Sequence, residues 1–323
     1  MNVPGWHGVP QRFARRDGAV GDALESLAER PVRLDVEGVL SAWGKRPWSG
    51  ATIVHGVTYA PGAPPPSLSS AGDWPHVFEH AVAKIARQAV KPVLALGGGV
   101  DGAAVLAAWK KTDVALPALA TFALGDHEYD EVEPAERIAA WAGARLRIIR
   151  VNADRLLGLT PHAVAACGAP LYNLHPVSRY AFALELAALG YETLITGDGA
   201  DAAFRGRPDL DYVPLVAAMT ARCGLGLHSP FLSEDVVAAS LAFAPDPSKR
   251  AVRHYLAREG FPRDLGEQPK RPRMMPPLDF ALDSVAIRGL ANELRLDVTL
   301  ATDSDRVGWL TLTSLVSFLR GGA

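Results

Sequence analysis

The chain has few cysteines and no long apolar run. Its 323 residues include only two cysteines, Cys167 and Cys223, which form neither a CxxC motif nor the spacing of a zinc site. This excludes the disulfide framework that stabilises many small secreted domains. No apolar run reaches the roughly 18 residues of a membrane-spanning helix, and the opening Met-Asn-Val-Pro-Gly-Trp-His lacks the apolar core of a secretory signal. We therefore expect a protein of the reducing cytoplasm.

An excess of charge of either sign is also absent. Lysine and arginine total 33 residues and aspartate and glutamate total 35, which gives a formal net charge of −2. This balance gives no electrostatic basis for binding nucleic acid or an anionic membrane surface. Apolar residues make up 49% of the chain, as in ordinary globular proteins. The length allows one large domain or two smaller ones.

Proline and glycine divide the chain near residue 70. The stretch Pro61-Gly-Ala-Pro-Pro-Pro-Ser-Leu-Ser-Ser70 predicts a stiff, extended linker. We predict a small N-terminal segment over residues 1–72, with a strand in residues 51–59, and a main domain over residues 73–323. The N-terminal segment alone is long enough for only a marginal core.

From residue 73 onward, apolar strands alternate with helical stretches. The predicted strands are residues 92–96, 119–124, 146–151 and 193–196, and the predicted helices are residues 74–90, 103–110, 131–143 and 175–189. This alternation predicts an α/β fold with a parallel sheet and flanking helices. After Gly206 the strand pattern fades, and a helical C-terminal region is predicted, with helices over residues 213–223, 233–243, 249–259 and 282–295.

Residues 91–109, KPVLALGGGVDGAAVLAAW, predict a buried strand, a phosphate loop and a buried helix. The glycines of the loop are Gly97, Gly98, Gly99 and Gly102. Glycines let backbone amides approach an anion at the start of a helix, and open α/β sheets bind ligands at this end of a strand. Asp101 would repel a phosphate unless a cation lay between them, so it indicates Mg²⁺ carried in with a nucleotide.

This loop has three interpretations. The spacing Gly97-x-Gly99-x-x-Gly102 fits the dinucleotide fingerprint of a Rossmann unit, which is weak evidence when it stands alone. The run Leu96-Gly-Gly-Gly-Val-Asp101-Gly also resembles the pyrophosphate-binding loop of the N-type ATP pyrophosphatases, usually spelled Ser-Gly-Gly-x-Asp-Ser. The third interpretation is a glycine-rich turn without a ligand.

A second segment favours the pyrophosphatase interpretation. Thr196-Gly-Asp198-Gly-Ala-Asp201 again follows an apolar strand, and it resembles the Ser-Gly-Glu-Gly-(Ala/Ser)-Asp-Glu signature of the asparagine synthetase family. A dinucleotide-dependent dehydrogenase has no need of this motif. The two motifs occur in the family's order and at the family's separation, and this is the specific part of the resemblance.

Further segments extend the resemblance to about residues 35–275. Residues 121–125 and 129–131 resemble the part that closes over adenine, and residues 227–235 resemble an Arg-x-Pro-Phe-Leu-Asp stretch. Residues 249–262, followed by Lys270, resemble the passage that ends in the active-site lysine. Residues 35–63 resemble the end of the glutaminase domain that precedes the synthetase domain in this family.

The resemblance implies an adenine nucleotide alpha hydrolase-like ATP pyrophosphatase fold, with ATP and Mg²⁺ as cofactors. The residues implied to bind ATP are Leu96, Gly97, Gly98, Gly99, Asp101, Gly102, Leu124, Thr196 and Gly197. Asp101 and Asp201 are implied to hold Mg²⁺ jointly.

The resemblance also implies a reaction. The family adenylates a carboxylate, releases pyrophosphate and transfers the acyl group to an amine to form an amide. Lys270 is our candidate for stabilising the leaving pyrophosphate, with Lys249 as a second candidate. Asp198 is our candidate for accepting the proton of the amine, with a helix cap as the alternative role.

Several departures from the family pattern bear on this activity. Gly97 and Gly102 replace the loop serines and Ala202 replaces a glutamate, so hydroxyl donors to pyrophosphate are lost. Asn2 stands where the family has its glutamine-hydrolysing cysteine, so we expect free ammonia, a small amine or an amine within the substrate, as in β-lactam synthetases and lasso-peptide cyclases.

The expected partners are a small-molecule or peptide carboxylate and an amine, with a partner protein or a second copy of the chain as further candidates. Two other functions remain open. One is a catalytically silent relative that serves in binding or assembly. The other is a dinucleotide-binding enzyme of the Rossmann type.

Overall fold

A computed structural model describes residues 12–43, 50–60, 73–124, 131–205, 213–268 and 282–321. The strands are β1 Phe13–Arg15, β2 Val20–Gly21, β3 Val57–Tyr59, β4 Pro92–Ala95, β5 Ala118–Ala123, β6 Leu146–Arg150, β7 Thr193–Ile195 and β8 Gly226–His228. The helices are α1 Val36–Trp43, α2 Trp74–Gln88, α3 Val100–Lys110, α4 Val132–Trp141, α5 Ala153–Cys167, α6 His175–Ala188, α7 Ala200–Phe204, α8 Val213–Arg222, α9 Glu234–Leu241, α10 Arg250–Arg258, α11 Arg263–Gly266, α12 Ser284–Leu294 and α13 Asp303–Leu319.

Five parallel strands form the central sheet, in the order β6-β5-β4-β7-β8. The chain builds the sheet outward from β4 to β6 and then returns to the other side of β4 with β7. The strand order therefore reverses between β4 and β7. Open α/β sheets bind their ligands at such a reversal, beyond the carboxyl ends of the strands. The α/β fold with a parallel sheet and flanking helices is confirmed.

Both faces of the sheet are covered, because successive side chains of each strand enter different cores. In β4, Val93 packs with α5, α6 and α8 on one face, whereas Leu94 packs with α2, α3 and α10 on the other. Burial on both faces explains why these strands are continuous apolar runs rather than alternating ones. The helix α3 is buried around most of its circumference, which fits its Ala- and Val-rich sequence.

Aromatic side chains join the elements on the α3 side of the sheet. Trp74 and Phe78 lie one turn apart on α2 and stack with ring centroids 4.8 Å apart. They also contact Phe231 and Tyr255, and the Trp74 indole nitrogen donates to Ser240 Oγ at 3.0 Å. This cluster fixes α9 and α10 against α2, so it sets the position of the chain that enters α10.

The N-terminal residues form a small antiparallel sheet in the order β2-β1-β3. The predicted strand over residues 51–59 is shorter than expected, because only β3 is a continuous strand and Ala51 makes an isolated bridge to Thr58. The N-terminal residues pack on the main part of the chain, where Trp43 of α1 and Trp309 of α13 have ring centroids 4.9 Å apart. The division into residues 1–72 and 73–323 stays a prediction.

Several elements were not predicted from the sequence, among them α5, β8 and α13. The helix α5 contains Pro161, which obscured its pattern, although Asn152 caps it by accepting from the Arg155 amide. The strand β8 is only three residues long and follows a glycine turn. The helix α13 begins with a capping box formed by Thr302 and Asp305. Among the described residues, no helix combines the length and the apolar character needed to cross a membrane.

The helix α13 fixes the segment between α5 and α6 through hydrogen bonds. Its buried Thr311 hydroxyl accepts from the Leu171 amide at 2.9 Å and also lies 3.0 Å from the Leu171 carbonyl. Ser304 Oγ donates to the Tyr172 carbonyl at 3.1 Å. These bonds fix the segment between α5 and α6.

We predict that Gly168 is required for docking the N-terminal sheet. It ends α5 with φ of 63°, and an added Cβ would lie 2.7 Å from Phe13 Cζ. Gly168→Ala should therefore lower the free energy of unfolding by about 2 to 4 kcal/mol, from backbone strain and overpacking. Gly143 follows α4 with φ of 71° and open space around it. Gly143→Ala should cost only about 1 kcal/mol, for strain alone. Equal losses of unfolding free energy for the two variants, measured by urea unfolding, would show that Gly168 does not pack tightly against Phe13.

Candidate active site

Two loops meet where the strand order reverses. One loop connects β4 to α3, and the other connects β7 to α7. At Gly197 an added Cβ would lie 2.7 Å from Asp101 Cβ and 3.0 Å from the Gly102 amide nitrogen. The two loops are therefore in direct contact, and only glycine fits between them.

A cavity of about 440 Å³ opens at this meeting point. The predicted site residues that line it are Leu96, Gly97, Gly98, Gly99, Asp101, Gly102, Thr196, Gly197 and Asp198. Another wall comes from residues 172–182, which run from the segment that α13 supports into α6, and it includes Tyr172, His175 and Arg179. The volume is within the range of small-molecule sites.

Three predicted residues are not part of this lining. Leu124 directly follows β5, is almost completely buried and packs in the hydrophobic core. Lys270 lies outside the described residues. Asp201 lies in the first turn of α7 and joins the site through Lys249.

The glycine loop lines the cavity directly before α3. Gly99 precedes α3, and no side chain caps this helix. The Gly98 amide donates to Glu131 Oε2 at 3.3 Å. An added Cβ at Gly98 would lie 2.8 Å from Pro134, so this position also needs glycine. The loop thus already directs one amide at an anionic oxygen.

Lys249 lies between the two aspartates that were predicted to hold metal. Its Nζ donates to Asp101 Oδ2 at 2.6 Å and to Asp201 Oδ1 at 2.9 Å, and the residue is 5% exposed. Burial lowers the pKa of Lys249, but the two carboxylates outweigh burial and hold the pKa above its ordinary value. A raised pKa means that Lys249 stays protonated at every pH below the ordinary lysine value. The site therefore contains a permanent internal cation.

The backbone before α10 fixes the position of Lys249. Lys249 was predicted to begin a helix, but it precedes α10 in a left-handed conformation with φ of 54°. Its amide donates to the Asp246 carbonyl at 3.0 Å, and the Asp246 amide donates to the Phe204 carbonyl at 2.7 Å. Burial raises the pKa of the Asp246 carboxyl, but hydrogen bonds from Ser248 and Arg250 lower it below its usual range. These bonds tie Lys249 to α7, which carries Asp201.

The carboxylates of Asp101 and Asp201 fit the donor chemistry of Mg²⁺. Both direct an oxygen at one point, which the Lys249 ammonium occupies. Among the residues that the structure describes, no group of three or more His, Cys, Asp or Glu side chains could hold a metal. Mg²⁺ in nucleotide sites usually takes one or two carboxylates and completes its shell with phosphates and water. The pair therefore suits a metal that arrives with a nucleotide.

Asp198 forms an ion pair with Arg179, and both side chains are largely buried in the cavity wall. The Asp198 carbonyl accepts from Ser229 Oγ at 2.7 Å. The alternative role of Asp198 as a helix cap has no support, because α7 follows Gly199 without a side-chain cap. Arg179 was not predicted from the sequence, because it belongs to no motif and reaches the site only through the position of α6 in the cavity wall.

Residues 73–217 match the model of the asparagine synthase family. The predicted resemblance is confirmed for this part of the chain, which runs from α2 into α8 and contains both loops. Lys249 lies outside the matched range.

No curated protein matches the chain. A matching solved structure is that of NMN synthetase from Francisella tularensis, with 12% identity and a TM-score of 0.39 over 79% of this chain and 98% of that chain. A similarity this low carries no functional argument.

We predict that the contact at Gly197 limits the stability of the site. Gly197→Ala should lower the free energy of unfolding by about 1 to 3 kcal/mol, because the new methyl group meets the backbone of Asp101 and Gly102. Gly99 is the matched control, since an added Cβ there has no atom within 4 Å. Gly99→Ala should change stability by less than about 0.5 kcal/mol. A Gly197→Ala protein as stable as Gly99→Ala would show that the loops are not packed together.

Proposed function

We propose that the chain is an ATP-dependent ligase that adenylates a carboxylate, releases pyrophosphate and transfers the acyl group to an amine. One observation carries most of this proposal. The carboxylates of Asp101 and Asp201, which come from two separate loops, converge with the Lys249 ammonium beside a glycine loop at the strand reversal. A triphosphate is bound through positive charge, here the ammonium and a metal that the carboxylates can hold. The glycine spacing of a dinucleotide fingerprint alone provides no such charged groups.

The proposed reaction has two steps. A carboxylate oxygen of the substrate attacks the α-phosphorus of ATP, and the bond from that phosphorus to the bridging oxygen breaks to release pyrophosphate. The amine nitrogen then attacks the acyl carbon, the bond to the AMP oxygen breaks, and the amine loses a proton. Negative charge therefore builds first on the pyrophosphate, and positive charge builds later on the nitrogen.

The glycine loop is proposed to hold the phosphates. Backbone amides around Gly97, Gly98 and Gly99 precede α3, where the helix dipole favours an anion. The bond from the Gly98 amide to the Glu131 carboxylate supports this role, because the loop already binds one anionic oxygen. A bound phosphate would take the place of the Glu131 carboxylate oxygen, and it carries more negative charge.

Asp101 and Asp201 are proposed to hold Mg²⁺ that is bound to the phosphates. When bound, the metal would screen the carboxylates from the triphosphate and neutralise charge on the leaving pyrophosphate. The Lys249 ammonium supplies a second positive charge at the same place. We assign Lys249 to stabilising the pyrophosphate, and we keep Lys270 as a further candidate on the strength of the resemblance.

Asp198 is proposed to accept the proton of the amine. It lines the cavity beside the glycine loop, and Arg179 holds its carboxylate in one orientation. A fixed carboxylate can receive a proton from a nucleophile without first reorganising. The segment 172–182 would then form the wall that contacts the acid and the amine.

A second candidate function is a relative that binds nucleotide without catalysing the reaction. The observation in its favour is the loss of side-chain donors at Gly97, Gly102 and Ala202. Each lost hydroxyl would remove about 1 to 3 kcal/mol of interaction with charge. The two functions differ in whether pyrophosphate is released.

The decisive experiment measures pyrophosphate release from ATP and Mg²⁺ across a panel of carboxylic acids and amines. We expect the wild type to release pyrophosphate only in the presence of an acid of the correct class. Asp101→Asn and Asp201→Asn should each reduce the rate roughly a hundredfold, because electrostatic stabilisers of a leaving group act on that scale. Lys270→Ala should reduce the rate by a similar factor while ATP binding changes only a few-fold, since the lysine acts after ATP has bound.

Asp113→Asn is a matched control, because Asp113 pairs only loosely with Arg87 at the surface. This variant should keep the wild-type rate. Binding of ATP and Mg²⁺ without pyrophosphate release from any acid and amine would favour the silent relative. Unchanged rates in Asp101→Asn and Asp201→Asn would remove the carboxylate pair from the mechanism.

A further inference from the structure

Lys249 occupies the point at which the Asp101 and Asp201 carboxylates converge. We propose that this lysine keeps divalent cations out of the carboxylate pair until a triphosphate brings one in. The inference rests on the proposed function for the identity of the nucleotide, but the behaviour of the lysine toward a metal can be tested without any nucleotide.

The geometry makes the lysine and a metal direct competitors. Nζ lies 2.6 Å from Asp101 Oδ2 and 2.9 Å from Asp201 Oδ1. A metal bound to the same two oxygens would need the position that Nζ now fills, because Mg²⁺ binds oxygen at about 2.0 to 2.1 Å. The ammonium must therefore leave the oxygens before a metal can bind them.

Leaving the carboxylates is costly for this lysine when no phosphate is present. Lys249 is 5% exposed, so the ammonium has little water to take the place of its two partners. Its backbone is held by Asp246 in a left-handed conformation, which limits how far the side chain can be withdrawn. In wild-type protein, a metal would add two positive charges beside an ammonium that is still nearby.

A triphosphate reverses this balance. Its phosphates carry negative charge that the ammonium can contact in place of the carboxylates, and they also supply ligands that two carboxylates alone do not provide. The charges in the site are then matched with both cations present. We therefore expect metal and nucleotide to bind together, and we expect the carboxylate pair to bind no metal when the nucleotide is absent.

The test is a titration of the nucleotide-free protein with Mn²⁺, followed by electron paramagnetic resonance of the free ion. The wild type should show no saturable site that depends on Asp201. Lys249→Met should create one, with affinity increased about tenfold or more, because the competing charge is gone. Lys249→Gln should behave like Lys249→Met, and Lys249→Arg, which keeps the charge, should behave like the wild type.

Two controls identify the site. Lys91→Met removes the same charge from a surface ion pair with Glu192, so it should leave Mn²⁺ binding unchanged. The double variant Lys249→Met with Asp201→Asn should lose the new site. Mn²⁺ should also raise the unfolding temperature of Lys249→Met and leave that of the wild type unchanged.

Wild-type protein that binds Mn²⁺ as tightly as Lys249→Met, or a wild-type site that Asp201→Asn removes, would overturn the proposal. The wild-type measurement alone decides this if the lysine variants do not fold. A new Mn²⁺ site in Lys249→Met, in a protein whose wild type neither binds ATP nor releases pyrophosphate, would support the role of the lysine and refute the proposed function instead.

Discussion

The contact between Gly197 and the start of α3 is the constraint on which the site depends. It brings the loop after β4 and the loop after β7 so close that a single methyl group would not fit between them. The parallel pairing of β4 with β7 fixes both loops at the same end of the sheet. Asp101 and Asp201 therefore share one small region, although a hundred residues separate them in the chain.

The contact between the two loops also determines how the charges of the site are balanced. Two carboxylates forced together would repel each other, and burial makes the repulsion larger. Lys249, which directly precedes α10, offsets this repulsion by pairing with both carboxylates. Hydrogen bonds through Asp246 to Phe204 hold the start of α10 in place. Arg179 does the same for Asp198 in the cavity wall. The site is thus nearly neutral without ligand, and a bound polyanion would have to rearrange these pairs.

The sequence predicted the elements with strong apolar runs, such as β4, α3 and β7, and it predicted the loops that follow them. The family resemblance implied that Asp101 and Asp201 act jointly if their strands are neighbours, and β4 does pair with β7. It did not predict that Lys249 lies between them, since only tertiary packing brings α10 to α3. Arg179 and β8 were missed for similar reasons. Arg179 belongs to no motif, and three residues are too few to show a period.

The most direct test of the account is a crystal structure with Mn²⁺ and a non-hydrolysable ATP analogue, in which anomalous scattering locates the metal. The account predicts an anomalous peak between the Asp101 and Asp201 carboxylates, phosphates on the amides of the glycine loop, and the Lys249 ammonium in contact with phosphate oxygen. A nucleotide bound elsewhere, or a metal that contacts neither aspartate while Lys249 still bridges them, would contradict it.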